Sequence, residues 1–213
     1  MLSRLWTGPV APDWTIRVGG PSASGTAEAS DRGRWAESDD RALVEGALAG
    51  ARDAFDVIVE RHRRAVYLLC YRYVSSHEDA ADLAQDTFIR AYKGLKGFKG
   101  QSSLATWLYR IAVNVCLNRV ALKTPRPEAL ETDRHVDHRV EPVEQSLMRQ
   151  ERAAEVRAAI SRLPPKQRAT LILRIYHELP HEQIASILGS SVGAAKANLF
   201  HALANLKKQL PRT

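Results

Sequence analysis

Asp82, Gln85 and Asp86 recur at three- and four-residue steps within the run DLAQD, so on a helix they share one face, opposite Leu83 and Phe88. Such a face either pairs with a cationic partner or simply meets solvent. Further along, the aromatic residues Phe98, Trp107 and Tyr109 are interleaved with Lys93, Lys96, Lys99, Arg110 and Arg119. Aromatic rings hold unstacked bases at about 1–3 kcal/mol each and cations hold phosphates, so this stretch has the means to grip single-stranded nucleic acid. The last patterned segment offers Lys196, Asn198 and His201 as polar candidates for a DNA groove. Catalysis finds no such support. The sequence has no paired catalytic carboxylates, metal-ligand cluster, nucleophile motif or phosphate-cradling glycine loop, and His77, His177 and His181 are scattered. The chain is expected not to be an enzyme, and to use no metal and no cofactor.

The elements that must position these residues are helical. From Arg52 to Val74 the apolar residues Phe55, Ile58, Val59, Val66, Leu69, Cys70 and Tyr73 return mostly every three or four positions, as one buried helix face requires. Ser75 with Glu78, or Ser76 with Asp79 one step behind, reads as a capping signal. It predicts a second helix to about Leu95, burying Ala80, Leu83, Ala84, Phe88, Ala91 and Leu95. A break at Gly94–Gly100 precedes a third helix through Leu104, Leu108, Ile111, Val115 and Val120. Glu151–Leu163 and Lys166–Glu178 also have helical spacing, separated by Pro164 and Pro165, which fit a first turn but not a helix interior. Between His181 and Leu210, an apolar face of Ile184, Ala185 and Leu188 runs into Gly189. Ser190 or Ser191 can then cap a last helix carrying Val192, Ala195, Leu199 and Leu206. This is helix-turn-helix spacing.

The predicted fold is therefore all-α, with two small helical domains joined by a flexible linker. Residues 1–38 are expected to be a disordered tail containing Trp6, Trp14 and Trp35, and 123–146 the linker. The compact parts are 39–122 and 147–213. The chain has 213 residues and a formal charge of +7. Residues 151–213 hold ten basic residues against four acidic ones, a surplus of +6, which favours a polyanion partner for that half. Cys70 and Cys116 fit neither a metal site nor a disulfide framework and are expected to be free, buried thiols. No apolar run is long enough to span a bilayer and no secretory signal is evident, so the chain is expected in the cytoplasm.

The runs DAADLAQDTFIRAY (79–92), FKGQSS (98–103) and TWLYRIAVNVCLN (106–118), followed by LPPKQR and the helix-turn-helix, resemble the extracytoplasmic-function group of bacterial sigma factors in order and spacing. The resemblance covers about 39–122 and 147–210 and leaves the first 38 residues outside. It implies a sigma-2-like bundle and a sigma-4-like domain that recruit core RNA polymerase to a promoter and help open the duplex. It implies that Asp82, Gln85 and Asp86 dock on the clamp of the polymerase's largest catalytic subunit. It also implies that Trp107 buttresses the point of strand separation, that Phe98 and Asn114 line a pocket for a flipped base, and that Arg110 and Asn118 belong to the same DNA-binding face. An anti-sigma factor is an expected partner on the same ground. The rival readings are a DNA-binding regulator that does not touch polymerase, and a protein-interaction module with weakened DNA reading.

The last helix departs from the family pattern. The usual recognition helix is rich in arginine, whereas VGAAKANLFHALANL offers Lys196, Asn198, Phe200 and His201. Arginine to guanine is the commonest specific contact, so weakened or altered recognition of the upstream element is expected. Lys166, Arg168 and Arg174 are expected to hold phosphates, which position without specifying.

Overall fold

The computed structural model describes residues 35–122 and 143–210, and among these there is no strand. The elements are α1 (Asp40–Leu48), α2 (Arg52–Val74), α3 (His77–Gly94), a 3₁₀ turn (Leu95–Gly97), α4 (Leu104–Leu122), α5 (Val143–Ser161), α6 (Pro165–Ile175), α7 (His181–Leu188) and α8 (Val192–Gln209). The all-α expectation holds, with α2, α3 and α4 at the predicted places. Every residue predicted for the buried face of α3 is buried.

Of the two overlapping capping signals, the second is used. Ser75 closes α2 in the left-handed region at φ 60°, donating its N–H to the Tyr71 carbonyl at 2.7 Å. Ser76 then caps α3 by accepting from the Asp79 amide at 3.2 Å. One serine cannot be left-handed and extended at once, so the two residues divide the work. Pro165 stands in the first turn of α6 as expected, Gly189 ends α7 at φ 57°, and Ser191 caps α8 through the Ala194 amide at 3.1 Å.

α1 was not foreseen. Asp39 accepts from the Ala42 amide at 2.7 Å, and Leu43, Val44 and Gly46 turn inward. The expected disordered tail is also too long at its C-terminal end. Trp35 is half-buried against the core, a Cβ added to Gly46 would lie 2.4 Å from its Cη2, and Arg61 donates to the Ala36 carbonyl at 2.8 Å. The remainder of the tail, with Trp6 and Trp14, lies outside the described residues. So does most of the expected linker, although α5 begins inside it at Val143.

The core of α1–α4 is built on Ile58, Tyr67, Leu69, Tyr73, Phe88, Leu108 and Val113, each almost wholly inaccessible to solvent. Cys70 and Cys116 are free thiols within it. Contact with Cys116, together with burial, pushes the Cys70 thiol well above its usual range and keeps it unreactive. The same apolar cluster continues into the second half through Ala169, Ile172, Leu173, Ile184, Ala185, Ile187 and Ala195.

Polar groups fasten that seam from both sides. Tyr73, near the end of α2, donates its hydroxyl to the Pro165 carbonyl at 3.0 Å. Arg168 of α6 returns a bond to the Tyr73 carbonyl at 2.8 Å, while its Nε donates to the Ile160 carbonyl at 3.1 Å. The last carbonyls of a helix lack intrahelical donors, so a buried guanidinium satisfies one of them and favours the negative helix end. Arg72 lies 4.2 Å from the Tyr176 ring centroid, and Tyr109 meets the His177 ring edge-on at 4.8 Å.

Candidate nucleic-acid interface

α3 presents two faces because its apolar residues keep a helical period. Thr87 lies on the inner face, where its hydroxyl donates to the Leu83 carbonyl at 2.7 Å. Asp82 and Gln85 are exposed on the outer one. Asp86 is partly exposed, with both carboxylate oxygens held by Arg90 Nε at 3.0 Å. The acid–amide stripe therefore exists, and its third member is already paired with a neighbour one turn away. Two residues that sequence reasoning left unassigned continue it. Ile89 and Tyr92 are 39% and 43% exposed, and Tyr92 packs its ring edge against Phe55 at 5.0 Å. The signal that could have found them was present: after Ala80, Leu83, Ala84, Phe88 and Ala91 fill the inner face, Ile89 and Tyr92 have no inward position left.

α4 is entered through Ser103, whose hydroxyl accepts from the Thr106 amide at 3.1 Å. Its inner face buries Leu104, Trp107, Leu108, Ala112, Val113, Val115 and Cys116. Its outer face exposes Arg110, Asn114 and Asn118 at four-residue steps, so the guanidinium and the two amides form a single row. The structure thus brings together three of the residues expected at melted DNA. Trp107 is different. It is 8% exposed and packs against half-buried Phe98 with ring centroids 5.3 Å apart, so it supports the surface from beneath. Around this row Lys93, Lys96 and Lys99 are exposed cations, but Arg119 is tied to Asp79 of α3 at 3.2 Å and fixes one helix against the other.

In the second half, α8 buries Ala195 and Ala202 and turns Lys196, Phe200 and His201 to solvent, while Asn198 is half-buried at the margin of that face. Of the three cations expected to hold phosphates, only Lys166 is exposed. Arg168 is 8% exposed and committed to the Ile160 and Tyr73 carbonyls, and Arg174 donates to the Leu179 carbonyl at 3.0 Å. These two arginines are structural because backbone carbonyls claim them first, those of Tyr73 and Ile160 at helix ends for Arg168 and that of Leu179 in the loop after α6 for Arg174. His177 also belongs to the seam. Burial, reinforced by Arg72, lowers its pKa to about 4, so the ring is neutral at physiological pH. Among the described residues no group of His, Cys, Asp and Glu could hold a metal ion, and no helix is long and apolar enough to cross a membrane.

Residues 58–124 match the family model for sigma-70 region 2, and residues 153–206 match that for sigma-70 region 4. The chain is 34% identical over 184 residues to the RNA polymerase sigma-H factor of Pseudomonas aeruginosa, covering 82% of this chain and 95% of that protein. It is 34% identical over 173 residues to the ECF RNA polymerase sigma-E factor of Haemophilus influenzae, covering 76% and 90% of the two. Among solved structures, CnrH in complex with the cytosolic domain of CnrY is similar at a TM-score of 0.58 and 24% identity, covering 79% of this chain and 95% of that one. The sigma factor RpoE in complex with the anti-sigma factor NepR from Bartonella quintana gives 0.57 and 21%, covering 73% and 95%. At those identities the likeness speaks for the two-domain helical fold. The two region matches in order, together with relatives aligned over nearly their whole length, show that the chain belongs to the extracytoplasmic-function group of the sigma-70 family, non-enzymatic factors that direct RNA polymerase to promoters.

Proposed function

We propose that three surfaces of this sigma factor divide the work of initiation. Asp82, Gln85 and Asp86, with Ile89 and Tyr92 beside them, dock α3 on the basic clamp of the polymerase's largest subunit. Phe98, Arg110, Asn114 and Asn118 hold melted promoter bases over the buried Trp107, and Lys196, Asn198, Phe200 and His201 carry α8 into the upstream duplex element. The observation that supports this most is the exposed row Arg110–Asn114–Asn118 on a helix whose opposite face is locked into the core. An amide presents both a donor and an acceptor to a base edge, and a rigid helix holds it in register. Residues 39–122 and 147–213 serve as the two working domains, and Trp35, just ahead of the first, packs against its core. The factor works in the cytoplasm, where core polymerase and the nucleoid are. An anti-sigma factor is the expected inhibitory partner, in keeping with the complex that gives one of the similar folds.

Run-off transcription and permanganate footprinting with added core enzyme test this. Asn114→Ala is expected to lower open-complex formation about tenfold while leaving core binding unchanged, in line with about 1–3 kcal/mol per base contact. The pair Asp82→Lys and Asp86→Lys is expected to weaken core binding without loss of helix content, because steering and register depend on the sign of that face. Normal melting by the first variant refutes the base-holding role, and normal core binding by the second refutes the docking role.

A further inference from the structure

An apolar strip lies uncovered at one corner of the first domain. Leu48 of α1 is 45% exposed, and Ile89 and Tyr92 of α3 are 39% and 43% exposed. Tyr92 meets Phe55 in the first turn of α2, and α1 packs against the 3₁₀ turn that follows α3, so all three residues belong to the same corner. Along α3 the strip runs on into exposed Gln85, Asp82 and Glu78. Glu78, Asp82, Gln85, Ile89 and Tyr92 follow one another at alternating steps of four and three, the spacing of one continuous helix face. Apolar at one end and anionic at the other, that face suits a short segment that is both apolar and basic.

The chain carries such a segment ahead of its first domain. Leu2, Leu5, Trp6, Trp14 and Ile16 fall within residues 2–18, where Arg4 and Arg17 stand against Asp13. Residues 19–30, GGPSASGTAEAS, have no large apolar side chain, a composition that serves to span rather than to bind. The chain then joins the bundle at Trp35, whose ring lies over Gly46, two residues before Leu48 on α1. The stretch from Val18 to Trp35 can span at most about 55–60 Å, whereas the 18 residues of α3 extend only about 27 Å. The tether therefore starts beside the strip and can reach all of it. Resting on the reading that α3 docks on polymerase, we propose that residues 2–18 dock in cis on Leu48 and the outward face of α3, and cover the clamp-docking surface until core polymerase displaces them. A segment tethered this closely meets its site at an effective concentration on the order of 1 mM. With an intrinsic Kd of about 0.1 mM it is docked about nine-tenths of the time and weakens core binding about tenfold.

The full chain serves for the test. Cys70 and Cys116 are buried, so a nitroxide on Thr7→Cys labels the segment alone. The label is expected to broaden the amide NMR signals of Gln85, Ile89 and Tyr92 and to leave those of α8 sharp. Adding Trp6→Ala and Trp14→Ala is expected to restore the α3 signals. The same two substitutions without the label are expected to tighten core polymerase binding about tenfold. Absence of selective broadening on α3 overturns the docking. Broadening that carries over undiminished to isotope-enriched chains mixed with separate labelled ones overturns docking in cis and assigns the face to the tail of a second copy. Unchanged core affinity in the tryptophan variant overturns the covering, and Asp82→Lys with Asp86→Lys then shows which premise was at fault. If that pair weakens core binding, α3 is the polymerase surface and only the covering falls. If it too leaves core binding unchanged, the polymerase reading of α3 has failed and takes the covering with it.

Discussion

Replacing Arg168 with alanine should loosen the seam between the two halves more than any other single side-chain change on it. The residue is 8% exposed, and its guanidinium donates to the Tyr73 carbonyl across the seam at 2.8 Å and to the Ile160 carbonyl within its own half at 3.1 Å. A hydrogen bond from a charged donor contributes about 1.5–3 kcal/mol, and its loss here strands two carbonyls at helix ends in a region from which water is excluded. Reorganisation recovers part of this, so the expected net cost is about 2–4 kcal/mol. The share belonging to the Tyr73 bond, about 2 kcal/mol, favours the separated arrangement by roughly thirtyfold. Tyr73→Phe gives an internal calibration. It removes only the neutral bond to the Pro165 carbonyl and keeps the buried ring, so the expected cost is about 1 kcal/mol and the shift roughly fivefold. Urea denaturation followed by circular dichroism would measure the stability change, and small-angle scattering the radius of the full chain. The expected order of stability is wild type, then Tyr73→Phe, then Arg168→Ala, with the alanine variant the most expanded. An alanine variant with wild-type midpoint, slope and radius refutes the assignment of Arg168 as the fastener of the seam.

His177 should make the same seam sensitive to acid. Its pKa falls from the ordinary 6.5 to about 4, so the unfolded chain binds its proton first. The contribution is complete above about pH 6.5 and is lost as pH falls toward 4, amounting to about 1–3 kcal/mol after allowing for partial exposure of the ring. His177→Leu is expected to flatten the melting temperature between those pH values, and an unchanged acid dependence would count against the buried neutral imidazole. Gly46→Ala should displace Trp35, since the new Cβ would lie 2.4–2.9 Å from three of its ring atoms. Overpacking of this kind costs about 1–3 kcal/mol, a drop of several degrees in Tm. The loss should vanish in a Trp35→Ala background, and its persistence there would clear the indole of responsibility.

Periodicity in the sequence was enough to determine the helices, because a helix that must bury one face repeats its apolar residues every three or four positions whatever it packs against. α2 runs from Arg52 to Val74 as read, the inner face of α3 is the predicted one, and Gly189 and Ser191 turn α7 into α8. The outward placement of Asp82, Gln85, Lys196 and His201 followed from the same rule, since the positions left after the apolar face is filled must meet solvent. What periodicity cannot register is the element lying opposite. Arg168 reads as a surface cation in the sequence, yet the carbonyl of Tyr73, 95 residues earlier, claims it in the structure. Trp107 reads equally well as a stacking platform or as core, and only the packing of Phe98 and the inner face of α4 decided for burial. α1 was missed because nine residues carry too few apolar positions to establish a period, and its helix is held by the Asp39 cap and by Trp35 lying on Gly46. In each case the deciding energy is a contact between residues distant in the chain, and such contacts exist only once the fold has brought them together.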